Sequence, residues 1–199
     1  MKKLKIFSVM LCCMAALSFT SCNTDDDGYT LTKEDIAACL NAVQGNYTGK
    51  LIYPSQNPKV PSDTTDSLDI QWSATADTTI VVNQFPVSLV AKFVEDKDLK
   101  AALETINNKE LKSSIYFTNV SPVVFLANAT PLVIPVRYGE ADHQVQISFY
   151  VNNTYSYGVY NSSNKKSEIQ LLLGGIFVDK GQTNYLKTPT PILFSGSKQ

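Results

Sequence analysis

The chain has 199 residues, of which 44% are hydrophobic and 18% are charged. This composition is typical of a globular protein and excludes a disordered or fibrous chain. The formal net charge of −1 gives no electrostatic basis for binding nucleic acid, so we expect no nucleic-acid partner.

The start of the chain has the pattern of a bacterial export signal. Three lysines within the first five residues precede an apolar run over residues 6–19. This run is shorter than the roughly 20 residues that a membrane-spanning helix needs, and small residues follow it at once. We therefore expect residues 1–21 to be a signal peptide that is removed.

The residues at the end of this signal predict a lipid anchor. Phe19-Thr20-Ser21-Cys22 resembles the lipobox of bacterial lipoproteins, with Phe19 where leucine is usual. The resemblance implies that Cys22 becomes the first mature residue and receives acyl chains. Cys12 and Cys13 compete for this role, but they lie inside the apolar run. Because each buried methylene contributes about 0.8 kcal/mol, two or three acyl chains would hold the protein on a membrane.

Residues 22–30 are predicted to form an acidic tether. Asp25, Asp26 and Asp27 follow the anchoring cysteine. This pattern resembles the acidic export signal of surface lipoproteins in Bacteroidetes, which implies an outer-membrane protein that faces outward. Like-charge repulsion alone also keeps such a segment extended, so the periplasmic face of the membrane is the alternative location.

A helix is predicted to follow the tether. Thr32 and Asp35 have the spacing of a capping box, and four apolar residues then share one helical face: Ile36, Cys39, Leu40 and Val43. Gly45 is a plausible end for the helix. Since an acylated Cys22 cannot form a disulfide, Cys39 is predicted to be a buried and unreactive thiol.

After Gly45 the hydrophobic period changes from about 3.6 to 2, which predicts β-strands. Residues 67–74 and 144–149 alternate between apolar and polar, as antiparallel strands with one buried face do. Trp72 falls on the buried side of its strand. Residues 169–178 are apolar on both faces and predict a central strand, with a bend or bulge at Gly174 and Gly175.

The chain between these strands predicts a hairpin, a helical segment and a loop. Residues 132–138 and 143–151 flank a short turn, and Pro131 and Pro135 favour a sheet edge for the first of these two strands. After a strand at residues 78–82, Pro86 can begin one helix and Asp96 can cap a second, although one kinked helix also fits. The polar, proline-rich residues 54–66 predict a loop.

Two resemblances point to a fold. Gly45-Asn46-Tyr47-Thr48-Gly49-Lys50-Leu51 is similar to the entry strand of lipocalin-like barrels, which implies that Tyr47 plugs the barrel base. The order of leader, capped helix, this strand and the junction at residues 83–88 resembles Bacteroidales lipoprotein families that carry only a domain-of-unknown-function label. This likeness implies an envelope location and an α+β fold, and it supplies no catalytic residues.

We therefore expect residues 31–199 to form a single β-rich domain of the α+β class. Its mainly antiparallel sheet would be a sandwich or a lipocalin-like barrel. An N-terminal helix and a short mid-chain helical segment would complete the fold.

No catalytic or metal-binding constellation is recognisable in the sequence. His143 is the only histidine, and it could hold a cation with Glu140 and Asp142. A metal site gathers three or four ligands, however, so an ordinary surface turn is the preferred interpretation. No serine lies in a G-x-S-x-G elbow. We expect no catalytic residues, no metal and no cofactor.

Tyrosines are the best candidates for a binding site. Tyr150, Tyr155, Tyr157 and Tyr160 cluster around a polar turn at residues 152–154. Exposed tyrosine rings offer a flat apolar surface with a hydrogen-bonding tip, which suits sugars or peptides, whereas cross-strand packing is the alternative. The predicted function is a non-catalytic binding module for a small hydrophobic ligand, a glycan or an envelope protein. The alternative is a structural subunit of an envelope complex or pilus.

Overall fold

The computed structural model describes residues 30–56 and 64–199. The predicted signal peptide, Cys22 and residues 22–29 of the predicted tether lie outside the described residues, as do residues 57–63 of the predicted loop. No helix within the two described ranges has the length and apolar character needed to cross a membrane.

Three helices and ten strands form within the described ranges. The helices are α1 (Lys33–Val43), α2 (Val87–Ala91) and α3 (Lys97–Glu104). The strands are β1 (Gly45–Pro54), β2 (Thr65–Ala74), β3 (Thr79–Phe85), β4 (Lys109–Val120), β5 (Val123–Ala129), β6 (Leu132–Tyr138), β7 (Ala141–Phe149), β8 (Tyr157–Asn161), β9 (Lys166–Val178) and β10 (Thr190–Lys198).

Eight of these strands close into an antiparallel barrel. The order around the barrel is β1, β2, β3, β4, β5, β8, β9 and β10, and β10 then pairs with β1. Of the two predicted arrangements, the protein has the lipocalin-like barrel with short helices, which confirms the α+β class.

Strands β6 and β7 extend the sheet beyond the barrel. The first half of β9 pairs with β8 and β10, and its second half pairs with β7. Ser148 pairs with Gly175 while Phe149 pairs with Leu173, so Gly174 is the extra residue of a β-bulge. The predicted central strand and its bulge are both confirmed.

The β6–β7 hairpin has a tighter turn than the sequence predicted. β7 begins at Ala141 and ends at Phe149, whereas we expected it to cover residues 143–151. Gly139 and Glu140 alone form the turn, with φ angles of 54° and 68°. Two successive positive φ angles match the right-handed twist of the strands, which explains why two residues are enough.

Proline places β6 at the edge of the sheet, as predicted. Pro135 lies opposite Gln144 on β7. Gln144 donates its N–H to the Asp179 carboxylate and accepts the Asp179 N–H, so its backbone groups point away from β6. Pro135 therefore has its backbone at the free edge, where a missing N–H breaks no sheet bond.

The predicted capping box begins α1. The Asp35 N–H donates to Thr32 Oγ1 at 3.1 Å, and the Thr32 N–H donates to Asp35 Oδ2 at 3.0 Å. Cys39 and Val43 are buried, as expected. The prediction was wrong for Ile36, which is 41% exposed because it lies before the part of the helix that reaches the core.

The mid-chain segment forms two short helices. Asp96 Oδ1 accepts the Leu99 N–H at 2.8 Å at the start of α3, as predicted. β3 is shifted from the expected residues 78–82: Thr78 has a φ of 57° and lies in the preceding turn. The strand instead continues past a bulge to Phe85, which is fully buried and packs edge-on against Phe149.

Aromatic rings fill the end of the barrel that α1 covers. Tyr47 stacks on Trp72 with 5.4 Å between ring centroids, and its hydroxyl donates to the Val43 carbonyl of α1. Tyr47 thus occupies the base of the barrel, as the resemblance implied. The indole of Trp72 lies over Gly196, and Gly196 pairs with Gly49 on β1. These two glycines leave the room that the indole occupies.

We expect Gly196→Ala to lower the free energy of unfolding by about 1–3 kcal/mol through overpacking. A Cβ at this position would lie 2.6 Å from Trp72 Cη2 and 2.5 Å from the Thr48 carbonyl oxygen. Chemical denaturation followed by the fluorescence of Trp72 measures the change. Exposed Ser197→Ala is the matched control and should shift stability by less than about 0.5 kcal/mol. Equal stability of Gly196→Ala and the wild type would contradict this packing.

Candidate binding surface

The interior of the barrel is filled by side chains. Every barrel strand contributes large inward residues that are at most 4% exposed: Leu51, Trp72, Val82, Ile115, Phe125, Tyr160, Ile169 and Phe194. An eight-stranded barrel is just wide enough for side chains to fill it. The outer surface therefore offers the room for a ligand that the filled interior lacks.

Three of the four predicted site tyrosines lie on the outside. Tyr150 is 41% and Tyr155 is 47% exposed, and Tyr157 is half-buried. The prediction was wrong for Tyr160, which is 4% exposed and packs edge-on against Tyr47 inside the barrel. Because successive side chains of a strand point to opposite faces, residues 157 and 160 cannot share one face.

The loop between β7 and β8, residues 150–156, is held by hydrogen bonds, and we call it the tyrosine loop. The Asn152 N–H donates to Asn128 Oδ1 and Asn128 Nδ2 donates to Asn152 Oδ1, both at 2.7 Å. Gln170 Nε2 donates to the Tyr155 carbonyl at 2.8 Å. The exposed rings therefore project from a fixed backbone, which reduces the entropy lost on binding.

Strand pairing brings a further tyrosine to this region. Tyr116 on β4 pairs with Leu126 on β5, and Leu126 pairs with Tyr157 on β8. Tyr116 is 57% exposed. Sequence reasoning missed Tyr116 because no local pattern links it to the tyrosine loop; only the order β4, β5, β8 makes them neighbours.

From Ser114 onward on β4, and along β5 and β8, the outer side carries no charged side chain; Glu110 and Lys112 lie on the same side of β4, before Ser114, and pair with each other at 2.9 Å. Tyr155 belongs to the same surface, because the Ala127 N–H donates to the Ser156 carbonyl and thereby sets Tyr155 level with Asn128. We call this surface the tyrosine face; it consists of Ser114, Tyr116, Thr118, Val124, Leu126, Asn128, Tyr155, Tyr157 and Val159.

The tyrosine loop lies at the opposite end of the barrel from α1. Lys198 Nζ donates to the Ala42 carbonyl of α1 at 3.0 Å and lies 5.9 Å from the centroid of the Tyr160 ring. The tyrosine loop joins the other end of β8, a strand of 5 residues and therefore roughly 16 Å long. A tether that enters at α1 thus leaves the tyrosine loop facing away from it.

His143 does not form a site with the two acidic residues that the sequence placed beside it. Its Nδ1 lies 2.7 Å from Asp179 Oδ2, while Asp142 pairs with Arg137. Within residues 30–56 and 64–199 no group of three or more histidine, cysteine, aspartate or glutamate side chains is placed to hold a metal ion. The histidine instead joins the hairpin to the end of β9.

Asp179 is the electrostatic partner at this junction. The N–H of Gln144 donates to one carboxylate oxygen at 2.8 Å, and this bond, followed by the contact with His143, lowers the pKa of Asp179 below 3.8. A lowered pKa in the folded state means that the ionised carboxylate stabilises the fold above about pH 4. The contribution is lost as the pH falls through the folded-state pKa.

We expect Asp179→Asn to lower the melting temperature at pH 7, because the charged acceptor for Gln144 and His143 is removed. The difference from the wild type should shrink as the pH falls below about 4, where the wild-type carboxylate is also neutralised. Melting temperatures at pH 7, 5 and 3 measure this. Glu104→Gln, an exposed carboxylate on α3, serves as the control. A difference that stays constant from pH 7 to pH 3 would refute the assigned role.

Cys39 has the surroundings of a structural thiol. Its side chain lies on the buried side of α1, and its Sγ donates a weak hydrogen bond to the Asn119 carbonyl of β4 at 3.8 Å. Burial, and to a lesser extent the negative charge of Asp35, raises the pKa of the thiol. A raised pKa reduces the thiolate fraction, in agreement with the predicted unreactive cysteine.

The fold and the surface together define a lipocalin-like barrel protein with a filled interior and a cluster of exposed tyrosines on its outer face. The family model described as "Domain of unknown function (DUF4840)" matches residues 42–178. The chain belongs to this family, which confirms the predicted membership of a domain-of-unknown-function family. The matched residues include the whole tyrosine face. No curated protein and no solved structure matches the chain.

Proposed function

We propose that this protein is a lipid-anchored, non-catalytic binding module of the bacterial outer membrane. In this proposal acylated Cys22 holds the chain on the membrane of a Bacteroidales cell, with the barrel facing outward. The tyrosine face and the tyrosine loop bind the ligand. The periplasmic side of the membrane is the alternative location.

The single observation that supports binding is an uncharged set of exposed rings on a fixed backbone. Exposed tyrosines on a mobile loop would lose conformational freedom when they bind a partner. Here the Asn128–Asn152 pair and the bond from Gln170 to Tyr155 hold the loop in place before any ligand arrives. The surface is therefore organised in advance for binding.

The position of the surface also favours a tethered binding protein. The acidic tether leads into α1 at one end of the barrel, and the tyrosine loop lies at the other. A protein anchored by its N-terminus would then present the tyrosine loop away from its own membrane.

Assembly by strand addition at β6, the outermost strand of the sheet, is disfavoured. Strand addition at a sheet edge needs backbone N–H groups that point outward. The free edge of β6 has Pro135 at its centre, so one donor is missing and the ring occupies the place of an added strand.

We expect Cys22→Ser to release the protein from the membrane. Full-length wild type and Cys22→Ser, expressed in a Bacteroidales host, are compared by detergent phase partition and intact mass. Wild type should enter the detergent phase with the added mass of acyl chains, because two or three chains suffice for stable anchoring. Cys12→Ser is the control and should behave as the wild type. An unacylated wild-type chain in the soluble fraction would contradict the anchor.

We expect the double variant Tyr150→Ala, Tyr155→Ala to bind its ligand at least about tenfold more weakly, because two exposed rings of the fixed loop are removed. The full chain is titrated with neutral oligosaccharides, acidic oligosaccharides and palmitate. For a protein partner, a photo-crosslinking residue replaces Val151 in living cells.

Val133→Ala is the matched control for these titrations. Val133 is 60% exposed on β6, outside the tyrosine face, so its removal should leave affinity unchanged. The absence of any bound probe and of any crosslinked protein would count against a binding module. So would a ligand that the double variant binds as well as the wild type does.

A further inference from the structure

The spacing of the tyrosines on β4 and β8 suits an elongated ligand that runs across the strands. Tyr116 and Tyr157 are separated by one strand, β5, with Leu126 between them. Two inter-strand spacings place the Cα atoms of the two tyrosines about 10 Å apart. Two consecutive or alternate rings of an extended oligosaccharide can therefore each lie on a tyrosine, with their C–H faces against the electron-rich ring face.

Hydroxyl and amide groups lie beside these rings. Asn128 is level with Tyr155, and Ser114 pairs with Asn128 across β4 and β5. The side-chain amide of Asn128 has two N–H hydrogens and two lone pairs on its oxygen. Its bonds to Asn152 use one of each, so Asn128 retains a donor and an acceptor. Such neutral groups can bond to sugar hydroxyls without the cost of removing water from a charge.

The lack of charged side chains among the residues of the tyrosine face argues against ionic ligands. Recognition of a carboxylate, phosphate or ammonium group relies on an opposite charge or a charge-assisted hydrogen bond. The described side chains of the tyrosine face supply only hydroxyl, amide, aliphatic and phenol groups. The charged side chains that border this face, Lys112 before Ser114 and Glu168 opposite Val159, are already paired with Glu110 and Lys166. The ligand that complements the face is therefore uncharged.

Shape and size argue against an acyl chain and against a large protein interface. An acyl ligand needs a concave pocket that buries most of its surface, whereas the tyrosine face is the outer side of a sheet. Three strands by five residues cover about 14 by 17 Å, or roughly 240 Å². A stable protein interface needs about 800 Å² on each partner.

We propose, on the basis of the function proposed above, that the ligand of the tyrosine face is a neutral oligosaccharide. It lies across β4, β5 and β8, with sugar rings stacked on Tyr116 and Tyr157. Its hydroxyls bond to the amide of Asn128 and the hydroxyl of Ser114.

Calorimetric titration of the full chain, purified in detergent, tests this assignment. The probes are neutral hexasaccharides of glucose, mannose, galactose and xylose in α and β linkages, an acidic hexasaccharide of galacturonate, and palmitate. We expect one or more neutral hexasaccharides to bind and Tyr116→Ala to weaken that binding by about tenfold or more. Tyr116→Phe keeps the ring and should stay within about threefold of the wild type.

Tyr116 is well exposed, so its replacement leaves the core intact, and a melting curve verifies this for each variant. Val133→Ala again serves as the exposed control outside the tyrosine face. Two outcomes would overturn the assignment of a neutral oligosaccharide but would agree with a binding module. The first is binding of palmitate or galacturonate alone, and the second is a protein crosslinked at position 151 without glycan binding. Neutral glycan binding that Tyr116→Ala does not weaken would also overturn this assignment. No binding in any arm would overturn both proposals.

Discussion

The pairing of β9 with three other strands is the constraint on which the rest of the structure depends. Its first half closes the barrel against β10 and holds β8 on the other side. Its second half, beyond the bulge at Gly174, supports β7 and the hairpin. Leu171 and Leu172 point in opposite directions and are both buried, so the middle of β9 is apolar on both faces.

The bulge in β9 also places the tyrosine loop. The chain that leaves β7 has to pass from the second half of β9 to the first, and residues 150–156 cover that step. The Tyr150 N–H donates to the Leu172 carbonyl, and a side chain at Gly174 would lie 2.9 Å from the Tyr150 ring. The glycine that permits the bulge therefore also makes room for an exposed tyrosine, which couples the geometry of the core strand to the surface.

Local signals predicted the elements well where each one depends on neighbours in sequence. The capping box of α1, the Asp96 cap of α3 and the bulge at Gly174 and Gly175 all follow from residues within a few positions of one another. Errors arose where tertiary contacts decided the outcome. Ile36 has the spacing of a core residue but precedes the part of α1 that meets the barrel, and the alternation of β8 turns Tyr160 inward.

The sequence by itself determined the alternation of the strands, the caps of the helices and the edge position of β6, because each rests on a short-range pattern. It also predicts an envelope lipoprotein, because the residues that carry this prediction form one contiguous leader. Only the tertiary structure decided between sandwich and barrel, since closure depends on the pairing of β10 with both β1 and β9. It alone brought Tyr116 beside Leu126 and Tyr157, because strands distant in the chain become neighbours only when the barrel closes.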